Sequence, residues 1–191
     1  MTTVLFVPGF PENITSRNYE KVLNAISNKG FQVKFVAIDW TRTTLEDWVN
    51  QLEQEYKNYN PADTILAGFS FGAMTCLAVA AHINPKALWL FSLSPYFAED
   101  IPGLKPTYLK DIGKKRVAVF EKTSFDEIVP LIGCPVLLFA GEIEMRKYGS
   151  VIGARFDDAK TKFLNVKAIA VPSAGHDVTN ENYLNLIENN I

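Results

Sequence analysis

One serine in this chain stands where a nucleophile would. Ser70 is the centre of Gly68-Phe69-Ser70-Phe71-Gly72, a G-x-S-x-G pentapeptide between an apolar run, Thr64 to Ala67, and an Ala-rich stretch from about Phe71 to Ala81. A serine on a sharp strand-to-helix turn is strained and held outward, and flanking glycines remove side chains that would strike neighbouring backbone. The helix that follows aims free N–H groups at the same place, where they favour developing negative charge. A serine hydroxyl is a weak nucleophile at neutral pH and needs a base within hydrogen-bond reach. The chain has 2 histidines. His82 lies near the far end of the serine's own helix, about 18 Å along its axis at roughly 1.5 Å per residue, so it is out of reach. His176, in Val171-Pro172-Ser173-Ala174-Gly175-His176-Asp177, follows a later apolar run and is the candidate base. A third group must orient the imidazole, and the chain order serine, acid, histidine points to the loop after the fifth apolar run. Glu142 and Glu144 both stand there, in Gly141-Glu142-Ile143-Glu144.

These residues need elements to position them, and the apolar periodicity supplies them. Thr3–Val7, Phe31–Ile38, Thr64–Ala67, Ala87–Leu93, Pro135–Ala140 and Val166–Val171 read as strands bounded by turn residues. Tyr19, Val22, Leu23 and Ile26 recur at helical spacing, with Ser16 as the expected cap. Thr43 and Glu46 predict a capping box ahead of a helix carrying Leu45, Trp48, Val49, Leu52, Tyr56 and Tyr59 on one face. Arg146–Phe163 reads as one amphipathic helix and Asn180–Glu188 as a closing helix. Ser94 to Gly133 is the least periodic part; a short helix is expected at Ser124–Ile132 and an extended piece at Val117–Phe120. About six strands separated mostly by single helices imply one α/β domain over 1–191, a mostly parallel sheet with helices on both faces. In such sheets ligands bind beyond the carboxyl ends of the strands, where the serine, the histidine and both carboxylates fall.

Composition narrows the chemistry. The 191 residues are 48% hydrophobic and 21% charged, a balance that excludes a disordered chain, and 2 cysteines exclude a disulfide scaffold. Cys76 and Cys134 lie in apolar runs and are expected as buried thiols. A net charge of -2 offers no broad positive field for nucleic acid or an anionic membrane. Ala67 to Ile83 is marginal in length for a membrane span and carries Ser70, Thr75 and His82, so no span is expected. With no basic segment ahead of Val4–Val7, a cytoplasmic setting is the default expectation. No metal site or cofactor is expected.

With these residues in hand, the chain resembles the α/β-hydrolase superfamily of serine hydrolases, in a small form with little or no cap domain. The resemblance runs from Val4-Leu5-Phe6-Val7-Pro8-Gly9-Phe10-Pro11 through the serine pentapeptide to Pro135-Val136-Leu137-Leu138-Phe139-Ala140-Gly141-Glu142 and Ala174-Gly175-His176. It implies a three-layer sandwich and a serine esterase or thioesterase with Ser70 as nucleophile and His176 as base. The acid of that family commonly falls three residues after the glycine ending its strand, which lands on Glu144 and leaves Glu142 as the rival; Asp is the more usual residue there. The backbone N–H groups of Phe10 and Phe71 are the implied oxyanion donors. Pro8-Gly9 stands where the family often has His-Gly, which changes how that loop is tethered. Residues 94–133 occupy the place of a lid. Trp40, Phe69, Tyr96 and Phe97, at or beside strand ends, are candidates for an apolar acyl or aromatic pocket accepting a small-molecule ester or thioester. Two other classes share these features: an inactive hydrolase fold used for binding, and an acyltransferase using the same three residues.

Overall fold

Alternation along the strands sorts the apolar side chains into two cores. The computed structural model describes residues 1–191, with the side chains of all but 149 and 150. The chain runs β1 (Thr3–Val7), α1 (Glu20–Ser27), β2 (Gln32–Phe35), α2 (Leu45–Tyr56), β3 (Thr64–Phe69), α3 (Phe71–Ile83) and β4 (Ala87–Phe91). Next come α4 (Pro106–Ile112), α5 (Lys114–Phe120), α6 (Phe125–Ile128), β5 (Val136–Gly141), α7 (Glu142–Lys147), α8 (Ala154–Lys162), β6 (Val166–Val171) and α9 (Glu181–Asn190). The strands form one six-stranded sheet in the order β2-β1-β3-β4-β5-β6, every neighbouring pair parallel.

Leu5, Val7, Leu66, Leu88 and Leu90 face the core beneath α2, α3 and α8. Their alternates Val4, Phe6, Ile65, Trp89 and Phe91 face the core beneath α1 and α9. Strands covered on both faces read as continuous apolar runs, as β1 and β3 do. Helix α3 has no polar stripe because it is buried all round, between the sheet and α2. This fixes the element that follows Ser70 rigidly in the centre of the molecule.

Five local expectations are corrected. Strand β2 is shorter than Phe31–Ile38, because as an edge strand it pairs only with β1 and its ladder stops where β1 runs into Pro8-Gly9. Ser16 does not cap α1; its hydroxyl accepts from Asn13 N–H and the helix begins after Tyr19. The capping box of α2 uses Thr44 and Asp47, one residue later than Thr43 and Glu46, since Thr43 is engaged by Trp48 Nε1 (2.9 Å) and by the Asp39 carbonyl (2.6 Å). Val117–Phe120 is helical, within α5; burying Phe120 against Phe71 (5.6 Å between ring centroids) outweighs the strand preference of its valines. Finally, Arg146–Phe163 is not one helix, for α7 and α8 are separated by a π-helical turn, Gly149–Gly153, bounded by residues of low helix propensity. The short helix expected at Ser124–Ile132 is present as α6 followed by a 3-10 turn over Val129–Leu131, and the Ser124 hydroxyl caps it by accepting from Glu127 N–H.

Candidate active site

Ser70 sits on the turn between β3 and α3 with φ 57° and ψ −120°, a left-handed conformation that costs a non-glycine residue on the order of 1–3 kcal/mol. The surrounding backbone over-determines it. Ser70 N–H donates to the Phe91 carbonyl (2.9 Å) at the end of β4. A Cβ on Gly72 would lie 2.3 Å from the Pro8 carbonyl oxygen and 2.4 Å from that of Val7, so only glycine lets α3 start this close to the end of β1.

His176, on the loop after β6, brings Nε2 to 2.9 Å from Ser70 Oγ. Its Nδ1 lies 2.6 Å from Glu144 Oε2. Facing a carboxylate, Nδ1 carries the ring proton, which leaves Nε2 free to accept from Ser70. Phe69 packs against the imidazole face, with ring centroids 4.8 Å apart. Glu144, in the first turn of α7, is 1% exposed. Its Oε1 accepts from Gly141 N–H (2.7 Å) and from the Ser92 hydroxyl, which is itself bonded to Tyr183 OH (2.6 Å). Burial, then the adjoining Glu144 charge, pushes the Tyr183 phenol well above its ordinary range, so it remains a neutral donor. A buried carboxylate is tolerable only when its lone pairs are occupied in this way. Glu142 is not brought to the imidazole; it borders a surface groove with Arg146 and Asp157. His82, at the far end of α3, faces Glu53 (2.9 Å).

Ser94 Oγ lies 3.1 Å from Ser70 Oγ. With the Ser70 proton directed at His176, Ser94 is the donor of that pair. The N–H groups of Phe10 and Phe71 have no acceptor within the protein among the described residues. The loop carrying Phe10 is braced: Gly9 N–H donates to Tyr19 OH (3.0 Å), and Tyr19 OH donates to Glu12. Burial raises the Tyr19 phenol strongly, followed by its bond to Glu12, which keeps the proton on the hydroxyl. Arg17 completes the brace by pairing with Glu12 and donating to the His176 carbonyl (3.2 Å). Thus the loop after β1 and the loop after β6 are joined.

A pocket of about 290 Å³ opens beside Ser70 and His176. Phe71, Pro95 and Tyr96 wall it near the serine; Leu104 and Tyr108 come from the segment after β4, and Tyr148, Val151 and Ile152 from the segment after α7. Burial, then the nearby Tyr108 and Asp111, pushes the Tyr96 phenol up to about 12. Of the expected pocket residues, only Tyr96, with Phe71, lines this space. Trp40 is instead buried against Phe10 and Trp48. Phe69 stacks behind His176, and Phe97 packs on Phe125 (5.1 Å) in the core. Aromatic residues at strand ends also pack the core, and sequence position alone does not separate the two fates. Tyr108 and Tyr148 lie in the weakly periodic segments, and only their aromatic character could have drawn attention to them.

Among the described residues no group of three or more His, Cys, Asp or Glu is arranged to hold a metal ion. Cys76 and Cys134 are free and buried, and burial raises both thiols above their ordinary range. Among the described residues no helix is long and apolar enough to cross a membrane.

No protein-family model matches the chain, and among curated protein sequences no significant match is found. Solved structures do resemble it. Est1E from Butyrivibrio proteoclasticus superposes with a TM-score of 0.79 at 18% identity, covering 98% of this chain and 84% of that one; Est1E has also been solved with ferulic acid bound. Alpha/beta hydrolase domain-containing protein 10 from mouse gives 0.78 at 15% identity, covering 97% and 86%. Carboxylesterase CesB from Bacillus subtilis gives 0.66 at 15% identity, covering 98% and 81%. Likeness of this kind, across nearly the whole chain and with the same parallel sheet clad on both faces, establishes that the protein has the α/β-hydrolase fold.

Proposed function

We propose that the protein is a serine hydrolase that cleaves a carboxylic ester or thioester through a covalent acyl-enzyme. The observation that carries this reading is the continuous line of hydrogen bonds from Ser70 Oγ through His176 (2.9 Å) to the buried Glu144 (2.6 Å). Fold alone does not assign an activity, whereas this arrangement matches the needs of acyl transfer at each atom. Ser70 Oγ attacks the substrate carbonyl carbon as its proton passes to His176 Nε2. The carbonyl oxygen, now negative, is held by the N–H groups of Phe10 and Phe71. Glu144 steadies the imidazolium and keeps its ring oriented. The carbon–oxygen or carbon–sulfur bond to the leaving group then breaks, and the proton on Nε2 goes to the departing atom. Water enters, gives its proton to His176, attacks the acyl carbon and releases the acid with Ser70 restored. Residues 94–133 serve as a small lid-like cover over part of the site. The esterases among the structural neighbours support this chemistry without assigning a substrate.

The test is a fluorophosphonate probe with the adduct mapped by mass spectrometry. Labelling is expected at Ser70 and is expected to vanish in Ser70→Ala and His176→Ala. Turnover of p-nitrophenyl acetate should fall by roughly 10⁴-fold or more in both variants. Folded protein that takes no label, or a His176→Ala variant with full turnover, overturns the proposal.

A further inference from the structure

We propose that the pocket beside Ser70 is the acyl pocket, that it takes a compact, uncharged aromatic acyl group, and that the Tyr108–Tyr148 contact sets the largest group admitted. This rests on the acyl-enzyme reading above.

Three observations carry it. The first is which half of an ester the pocket suits. In a two-step mechanism the acyl group stays on the serine through both steps, while the leaving group departs and water takes its place. A walled, apolar space suits the group that stays, because its binding then serves both transition states. The second is the lining. No Asp, Glu, Lys or Arg side chain lines the pocket, and the nearest cations, Lys105 and Lys147, lie against the Tyr108 and Tyr148 rings, so an anionic acyl group would lose water without a direct partner in the walls. Four aromatic side chains, Phe71, Tyr96, Tyr108 and Tyr148, lie on its walls. An aromatic contact is worth roughly 2- to 12-fold beyond the area it covers, and a flat ring surrenders less conformational freedom than an alkyl chain of the same size.

The third is size. At about 290 Å³ the pocket lies at the small end of the roughly 300–1,000 Å³ span of small-molecule sites. A compact group such as 3-phenylpropanoyl, with about ten non-hydrogen atoms, suits a space of that size better than a dodecanoyl chain does. Tyr108 from α4 and Tyr148 from the end of α7 belong to separate segments, yet their rings meet edge to face, 6.5 Å apart at 74°. Their contact closes the seam between the two walls, so shortening either ring opens the space along that seam.

The experiment compares p-nitrophenyl esters with one leaving group and different acids: 3-phenylpropanoate, nonanoate with the same number of non-hydrogen acyl atoms, dodecanoate, and 3-(4-carboxyphenyl)propanoate. Each kcat/KM is divided by the ester's rate with hydroxide. The 3-phenylpropanoate is expected to exceed the nonanoate by about tenfold, the size of one to two aromatic contacts. The carboxylated analogue and the dodecanoate should each fall at least about tenfold below the unsubstituted phenyl ester. In Tyr148→Ala the dodecanoate to 3-phenylpropanoate ratio should rise about tenfold. Because this is a ratio within one protein, loss of folded material does not move it. Turnover with Ser70 labelled by fluorophosphonate, but with nonanoate or dodecanoate preferred, or with the ratio unmoved in Tyr148→Ala, overturns the pocket assignment alone. Folded protein with no turnover of any ester and no label overturns the acyl-enzyme reading and this inference with it.

Discussion

The floor and the roof of the site are built by different physics. On the floor, Ser70, His176 and Glu144 stand just beyond the ends of three strands, and each is fixed by polar bonds or backbone strain. Glu144 alone is held by His176, Gly141 and Ser92. The roof, made by α4 and the segment after α7, meets the pocket through apolar and aromatic contacts. Its main polar clamp is Arg155, 4% exposed, which grips Asp100 (2.7 Å) and lies 4.0 Å over the Phe125 ring. Hydrogen bonds specify position to fractions of an ångström, whereas apolar contact specifies volume. On the acyl-enzyme reading proposed above, the floor sets the reaction and the roof the size of group admitted, and mutation can separate the two.

The sharpest way to break this contrast is on the floor. Glu144→Gln keeps the shape but removes the charge facing His176 and leaves the amide opposite donors; kcat for an activated ester is expected to fall roughly 10³- to 10⁴-fold. Glu142→Gln should stay within about twofold of the parent. If steady-state kinetics reverse that order, the acid is Glu142. The roof's counterpart is Arg155→Met, which leaves the largely buried Asp100 carboxylate with only the Phe97 N–H donor and is expected to remove about 3 kcal/mol of stability. Calorimetry should show Tm lowered by roughly 10 °C. Burial chiefly, opposed by the bonds from Arg155, already holds the Asp100 carboxyl above its usual range. With its folded value above the unfolded one, the charged form is the strained one, so the Arg155→Met deficit is greatest at neutral pH. It should shrink as pH falls through the raised value; a deficit that grows on acidification contradicts the assignment. The smallest effect concerns the brace between loops. Tyr19→Phe leaves Gly9 N–H and Glu12 without their shared hydroxyl, and kcat is expected to drop about tenfold with KM changed less than about twofold. An unchanged kcat would mean that Phe10 is positioned without the brace.

The floor was legible in the sequence because its chemistry demands particular residue types. The G-x-S-x-G pentapeptide announced the turn, and scarcity of histidine left His176 as the candidate base, whose imidazole the structure places against Ser70. Glu144 came from family resemblance, since spacing alone left it level with Glu142; burial and three donors distinguish them only in three dimensions. The strands were readable as continuous apolar runs, except at edge strand β2, where pairing rather than composition sets the length. The roof was not legible. Its helices are short, and in the neighbouring α5 Val117–Phe120 favours strand locally but is drawn into a helix by Phe120 packing. Trp40, Phe69 and Phe97 shared the position and chemistry of pocket residues, and only packing tells that they face inward. Glu12, Arg17 and Tyr19 form a network whose members carry no motif.

One further consequence lies in the aromatic cluster behind the loop after β1. Trp40 and Trp48 meet edge to face at 4.8 Å, and Phe10 touches Trp40 (5.7 Å) while Phe71 touches Trp48 (5.9 Å). Trp89, in contrast, lies in the opposite core against Phe31. Two indoles that close and that fixed in angle interact as electronic transitions, giving near-ultraviolet circular dichroism that a freely rotating pair would lose. The molecule thus contains its own optical gauge of order around Phe10 and Phe71, readable without a label while a ligand enters the neighbouring pocket.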